Sequence, residues 1–203
     1  MADPVESKLD KLREIIARMD KVLVAYSGGV DSTFLLKVSI DCLGKEKVVA
    51  ATCNSPFFPD REKEWAKRMA DLLGANHIIL GDEKLEVEEI ARNAPDRCYH
   101  CKKKLFEKLV ALAKNKGIDH VLDGTTGDDE RDFRPGMLAK KELKIESPLL
   151  QAGFKKEEIR EISKRFGLPT YSKPSFSCLA SRFPYGLRIT KEELEIVEKA
   201  ESF

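Results

Sequence analysis

The sequence has no long apolar run, and no stretch approaches the ~20 residues that a transmembrane helix needs. Its first residues, 1–6, contain no apolar core of a secretory signal. Neither sign of charge dominates, because 36 basic residues stand against 35 acidic ones and the net charge is +1. A membrane protein is therefore not expected, and a strongly electrostatic nucleic-acid binder is not expected either. These absences favour a cytoplasmic enzyme.

Internal repeats and low-complexity tracts are also missing. A length of 203 residues is typical of one domain, or of one domain plus a fragment. A hydrophobic content of 42% is enough to bury a core, while 35% charged residues keep the surface polar. The composition therefore indicates an ordinary globular chain.

Strand-like and helix-like segments alternate along the chain. Short β-branched runs predict strands at 21–26, 47–52, 77–80 and 120–123. Apolar residues at helical spacing predict helices at 6–18, 30–43, 60–73, 86–92, 99–115, 155–166 and 190–201. This order predicts an α/β fold with a mostly parallel, doubly wound sheet. Ligands bind at the carboxyl ends of such strands, so residues 27–32, 52–55 and 123–129 should line one nucleotide crevice.

The late part of the chain reads as an ordered loop followed by a helix. Residues 168–189 contain three prolines and lead to the final predicted helix. Nothing after that helix could cover its apolar side, which carries Leu194 and Val197. We therefore expect a first domain at 1–189, with 190–203 as the start of a C-terminal domain that is missing or truncated.

A Gly-rich loop, SGGVDS at residues 27–32, directly follows the apolar run 22–26. Glycines let the backbone turn with its N–H groups facing outward, and the following helix adds its positive end. The loop therefore suits a phosphate group. It lacks the Gly-Lys-Ser/Thr ending of a Walker A loop and the three spaced glycines of a dinucleotide fingerprint. The simpler alternative is a Ser/Gly turn that caps a helix.

Three of the five cysteines form a second candidate site. Cys98 and Cys101 form a C-x-x-C at a predicted helix start, so both sulfurs lie on one face, and Cys178 lies in the late loop. A structural zinc site would need a fourth ligand, with His100 the nearest candidate. A redox disulfide would place its C-x-x-C after an early strand. Three thiolates on a [4Fe-4S] cluster would leave one iron open, which suits sulfur delivery.

The SGGVDS loop resembles the PP-loop of the ATP pyrophosphatases, which split ATP between its α- and β-phosphates and adenylate a substrate. In that resemblance the loop holds pyrophosphate and Asp31 helps to place Mg²⁺. The residues that it implies for binding the nucleotide are Ala25, Ser27, Gly28, Gly29, Val30, Asp31, Ser32, Asn54, Gly124 and Arg182.

Three further segments are similar to the LarE family of ATP-dependent sulfur transferases: Leu122-Asp123-Gly124, Asp132-Phe133-Arg134-Pro135-Gly136 and Ser181-Arg182-Phe183-Pro184-Tyr185-Gly186. The similarity spans about residues 20–200. Members adenylate a carboxylate of pyridinium-3,5-biscarboxylic acid mononucleotide and convert it to a thiocarboxylate for the nickel-pincer cofactor. One subclass sacrifices a single cysteine, and another uses three cysteines to hold a [4Fe-4S] cluster that carries an extra sulfide.

By this resemblance Cys98, Cys101 and Cys178 place the chain in the second subclass and are catalytic together with Asp31. The resemblance implies ATP, Mg²⁺ and a [4Fe-4S] cluster as cofactors. It also implies a nucleotide substrate, a sulfide donor and a homo-oligomer. Family members usually continue into a further small domain. A tRNA thiolase is the nearest alternative, although the charge balance weighs against it. A nucleotide sensor with a structural zinc site is the other.

Several remaining residues have open or structural interpretations. Cys42 is expected to pack in the core, and Cys53 to form a pocket wall. Residues 128–130 could hold Mg²⁺ or form a solvated turn, and Arg131 and Arg134 could clamp phosphate or pair with those acids. The lysines at 102–104 are typical of a solvated helix face, although one of them, beside the cysteines, could hold a phosphate. The histidines that open two strands, His77 and His120, have no evident partner and are expected to be structural.

Overall fold

A parallel sheet forms the centre of the molecule. The computed structural model describes residues 4–81, 84–131 and 136–201. Within them, the strands are β1 (Val22–Ala25), β2 (Val48–Asn54), β3 (Asn76–Gly81) and β4 (His120–Leu122). Their order is β3-β2-β1-β4 and every pair is parallel. An isolated parallel bridge between Leu122 and Glu146 extends the sheet beyond β4.

Helices connect the strands, and most of them lie where the sequence predicts them. Their bounds are α1 (Pro4–Ala17), α2 (Val30–Leu43), α3 (Asp60–Leu72), α4 (Glu88–Ala91), α5 (Arg97–Asn115), α6 (Gly136–Glu142), α7 (Pro148–Gln151), α8 (Lys156–Arg165) and α9 (Lys191–Ala200). The sequence prediction lacks α6 and α7, which have only 7 and 4 residues. In the part of the chain that is described, no helix combines the length and apolar character needed to cross a membrane.

The two faces of the sheet bury separate sets of side chains, because successive strand residues point to opposite sides. On one face, Val22 and Val24 join a core that contains buried residues of α1, α2, α3 and α8. On the other, Leu23 and Val49 join a core formed with α5 and α6. Helices thus cover both faces, which confirms the doubly wound α/β fold.

A third apolar cluster lies away from the sheet. Its buried members are Phe57, Ile90, Leu179, Ala180, Ile189 and Leu194. The half-buried Val197 packs against it as well. The expectation that Leu194 and Val197 lack cover is therefore wrong, because residues from 57 to 189 enclose this side of α9. The domain division at residue 190 remains a prediction.

Candidate functional site

The Gly-rich loop follows the carboxyl end of β1, as predicted, and its residues Val30, Asp31 and Ser32 form the first turn of α2. The side chains of Ser27 and Ser32 form hydrogen bonds within the loop. The Ser27 amide donates to Ser32 Oγ (3.3 Å), the two hydroxyl oxygens are 3.0 Å apart, and the Gly29 amide donates to Ser27 Oγ (3.3 Å). The positive end of α2 therefore points at a loop whose shape is already fixed.

Gly28 has to be a glycine for two independent reasons. Its φ is +70°, in the left-handed region that disfavours other residues. A Cβ here would also lie 2.6 Å from Cα of Ala66 in α3. On the same helix, Trp65 Nε1 donates to the Gly28 carbonyl (3.1 Å). The loop is thus pressed directly against α3.

Gly124 permits a second close approach. A Cβ at this position would lie 3.0 Å from the Ser32 amide nitrogen, so the segment after β4 lies directly on the start of α2. This is the point between β1 and β4 where the strand order reverses, the usual ligand site of such sheets. Ala25 and Asn54 are the last residues of β1 and β2 at the same edge. The fold therefore gathers the predicted nucleotide-binding residues that lie at the carboxyl ends of β1, β2 and β4.

A buried polar network holds the segment around Gly124, through the side chains of Asp123 and Thr125. Lys140 and Asp123 form an ion pair of 3.0 Å, and each side chain is 7% exposed. Lys140 Nζ also donates to Thr125 Oγ1 (2.7 Å) and Ser147 Oγ (2.6 Å), and Ser147 Oγ donates to Asp123 (2.7 Å). Because α6 supplies the lysine, this short helix has a structural purpose that the sequence pattern does not reveal.

Asp31 carries a carboxylate in the first turn of α2, next to this switch point. Its Oδ1 is buried and has no hydrogen-bond partner within the described chain. Burial raises the pKa of Asp31 to about 6, and the positive charge of Lys156 opposes this shift, as does Arg160 more weakly. The carboxylates of Asp129 and Asp128 push the pKa further upward. An orphaned acidic oxygen of this kind fits a hard cation such as Mg²⁺.

The acidic residues beyond Gly127 form local contacts. Asp128 accepts a hydrogen bond from the Lys156 amide (2.7 Å). Asp129 accepts from the Thr126 amide (3.0 Å) and lies 3.3 Å from Lys156 Nζ. These bonds favour the turn interpretation. The side chains of Glu130 and Arg131 lie outside the description, as do residues 132–135, including Arg134 and most of that predicted motif.

The cysteine-bearing segments meet at the start of α5. Cys98 and Cys101 lie in its first turns, and Cys178 immediately precedes a 3₁₀ turn at Leu179–Arg182. Cys101 and Cys178 both pack against the third apolar cluster. Across the described ranges, no three Cys, His, Asp or Glu side chains lie close enough to hold a metal ion. A ligand set of Cys98, Cys101 and Cys178 therefore stays a prediction.

Arg97 is the residue at this junction that the sequence analysis missed. It is the first residue of α5 and is only 6% exposed. Its Nη1 donates to Asn93 Oδ1 and to the Ala180 carbonyl (2.9 Å), and its Nη2 donates to Cys98 Sγ (3.8 Å). A signal was present, because a cation in the first turn of a helix opposes the helix dipole.

Other predicted residues have well-defined surroundings. Arg182 pairs with Glu201 (2.6 Å) and donates to the Ser177 carbonyl (2.8 Å), so its proposed nucleotide contact remains a prediction. His100 lies 3.2 Å from Asp96.

The two strand histidines do have partners, contrary to expectation. His77 is 2.8 Å from Thr52 Oγ1 and His120 is 2.7 Å from Glu146. Their contacts support the structural role expected of them. Cys42 packs against the first core, as expected.

A doubly wound parallel sheet with this loop at its switch point defines a PP-loop ATP pyrophosphatase. Residues 5–112, which include the Gly-rich loop, match the NAD synthase family. The relatives that match most of the chain include the following three. An uncharacterized protein of Synechocystis is 43% identical over 98% of this chain and 74% of its own length. An uncharacterized protein of Methanocaldococcus jannaschii is 33% identical over 90% and 69%.

The third relative has a named activity. The pyridinium-3,5-bisthiocarboxylic acid mononucleotide synthase of Lactiplantibacillus plantarum is 38% identical over 91% of this chain and 67% of its own length. The chain belongs to the LarE family within the PP-loop ATP pyrophosphatases. It is an ATP-dependent, adenylating sulfur transferase.

Proposed function

We propose that this enzyme adenylates a carboxylate of pyridinium-3,5-biscarboxylic acid mononucleotide and converts it into a thiocarboxylate for the nickel-pincer cofactor. One observation supports the coupling of ATP use to sulfur transfer. The segment that carries Cys178 is bonded at one end to the Gly-rich loop and at the other to the helix that carries Cys98 and Cys101. Lys173 Nζ lies 3.5 Å from the Gly28 carbonyl, and Arg97 reaches the Ala180 carbonyl at 2.9 Å.

In the first step, the adenylation of the substrate, negative charge develops on the pyrophosphate next to the Gly-rich loop. A carboxylate oxygen of the substrate attacks the α-phosphorus of ATP, and the bond to the bridging oxygen of pyrophosphate breaks. The amides of residues 28–32 and the positive end of α2 stabilise the charge that develops on the leaving pyrophosphate. Asp31 would hold Mg²⁺ through its unpartnered Oδ1. The product of this step is an acyl-adenylate.

The second step exchanges oxygen for sulfur. A sulfur nucleophile attacks the acyl carbon, and the carbon–oxygen bond to AMP breaks, so that the thiocarboxylate and AMP are released. Cys98, Cys101 and Cys178 would hold a [4Fe-4S] cluster, since three thiols on two adjoining segments form a donor set suited to iron. When bound, the cluster would supply sulfide from its open iron, so that no protein cysteine is consumed.

The test is an anaerobic assay with ATP, sulfide and the mononucleotide, after reconstitution with iron. We expect AMP, pyrophosphate and more than one thiocarboxylate per chain. Cys98→Ala, Cys101→Ala and Cys178→Ala should each lose iron and thiolation while still binding ATP, whereas the control Cys42→Ala should keep both.

Three outcomes would contradict parts of the proposal. ADP and phosphate as main products would exclude the adenylation step. AMP release with unmodified tRNA, but not with the mononucleotide, would show that the substrate is tRNA. A single turnover with loss of hydrogen sulfide from Cys178 would show that this cysteine, and not a cluster, is the source of the sulfur.

A further inference from the structure

Arg97 is a buried cation whose partners, within the described part of the chain, are all neutral groups. Its guanidinium donates to an amide oxygen of Asn93, a backbone carbonyl at Ala180 and the thiol of Cys98. Burying a charge without an ionic partner is costly, and the helix dipole adds to that cost. The stability of α5 therefore does not explain why an arginine lies here.

The planar fork of Arg97 contacts both cysteine-bearing segments at once. One arm reaches Ala180, two residues beyond Cys178, and the other reaches Cys98 on α5 itself. An arginine can hold fixed donor directions of this kind, whereas a lysine provides only a point charge.

Asn93, two residues beyond the end of α4, strengthens the same junction. Its side-chain amide donates to the Pro184 carbonyl (2.9 Å), and its own carbonyl accepts from the Gly186 amide (2.9 Å). Asn93 is fully buried and has a φ of 55°, a left-handed conformation that asparagine tolerates better than most residues. Its side-chain oxygen contacts Arg97. The pair thus fixes residues 180–186 against the start of α5.

We propose that Arg97 is a positioning residue that holds Cys178 beside Cys98 and Cys101, so that the three thiols form one sulfur-handling site. This inference rests on the proposed function. Among the described residues the positive charge of Arg97 has no ionic partner, only neutral groups that include the Tyr185 ring at 6.0 Å, and anionic sulfur ligands assembled at the site would neutralise it. Arg97 acts through the cysteines and does not contact the substrate.

The experiment measures thiol proximity without metal or substrate. All variants carry Cys42→Ala and Cys53→Ala, and each is treated under reducing conditions with dibromobimane, which becomes fluorescent on joining two nearby thiols. Peptide mass spectrometry maps the cross-links of Cys178 to Cys98 or Cys101. Arg97→Gln removes the charge and the fork. Arg92→Gln is the matched control, because Arg92 is exposed and lies just before the junction.

We expect the parent and Arg92→Gln to cross-link equally, and Arg97→Gln to cross-link at least fivefold less while binding ATP as before. Arg97→Lys, which keeps the charge, should fall between them, and it provides the comparison if Arg97→Gln fails to fold. Equal cross-linking in the arginine variants and the parent would overturn the inference, as would no cross-linking in the parent. A parent that cross-links but retains no iron after reconstitution would overturn the cluster and leave the role of Arg97 intact.

Discussion

The carboxylate of Asp31 lies in surroundings whose burial disfavours its negative charge. Nothing in the described ranges bonds to its buried Oδ1, and burial raises the pKa of Asp31 to about 6. In the nucleotide-free protein, ionised Asp31 is therefore destabilising. A divalent cation bound to Asp31 would reverse this effect, because it adds positive charge to that of Lys156 and Arg160, which only partly offset the burial.

Asp31→Asn should make the nucleotide-free protein more stable at pH 7.5 while abolishing AMP formation. The folded pKa of about 6 lies above the ordinary value of 3.8, so the wild type loses stability as the pH rises through this window. Asparagine does not titrate. The gain should reach up to about 3 kcal/mol above pH 6 and vanish near pH 4. Urea unfolding from pH 4 to 8 measures it, and a pH-independent difference would contradict it.

Among single residues, the sequence identified those whose role depends only on their neighbours in the chain. The pattern SGGVDS identifies Asp31 and Gly28 because a loop between a strand and a helix has its own backbone requirements. It could not show that Gly28 lies against Ala66, or that Arg97 bonds to Ala180, because these contacts join segments far apart in the chain. The positions of the cysteines could be read from the sequence, whereas the contacts of Arg97 with both of their segments could not.

At the scale of elements, the contact between the Gly-rich loop and α3 can be tested with a matched pair of glycines. Gly28→Ala and Gly74→Ala both place alanine at positive φ, +70° and +61°, which costs about 1–2 kcal/mol each. Only at position 28 does the new Cβ meet another helix, whereas position 74 has no heavy atom within 4 Å. We therefore expect Gly28→Ala to lose about 1–3 kcal/mol more in denaturant unfolding, from overpacking, and to lose ATP binding.

Comparable losses for the two glycine variants, with ATP binding kept in both, would show that α3 yields to the extra methyl group. The loop would then be held by its own serines alone.

Long elements were predictable from the sequence because their periodicity is strong. The predicted bounds of α2 coincide with the observed ones, and β1 to β4 lie within a few residues of their predicted positions. The short helices α6 and α7 were missed, since tertiary contacts decide them. The buried ion pair of Lys140 with Asp123 holds α6 in place. The residues around Lys140 in the sequence do not predict that it pairs with Asp123, which is distant in the chain.

On the scale of the whole molecule, the third apolar cluster couples α9 to the cysteine region. Leu194→Ala should destabilise the protein by about 2–4 kcal/mol, because Leu194 is 2% exposed within that cluster. Ile196→Ala on the same helix is the control and should change stability by less than about 0.5 kcal/mol, since Ile196 is 65% exposed. Thermal or urea unfolding compares the two.

The same variants should differ in thiol reactivity. Leu194→Ala should increase the alkylation rate of Cys178 by iodoacetamide while ATP binding persists, because Cys178 packs on this cluster and the Gly-rich loop does not. Equal alkylation rates in both variants would indicate that α9 and the cysteine region open independently.

The strand order has a consequence for how the protein is made. Val22 of the central strand pairs with Val48 on one side and with His120 on the other. A ribosome-bound nascent chain that ends before β4 can therefore pair β1 with β2, but it cannot place Gly124 against Ser32. Non-local pairing of this kind slows folding, because a long loop must close before its contacts form. The nucleotide crevice is thus completed only after β4 has left the ribosome, well after its signature loop has done so.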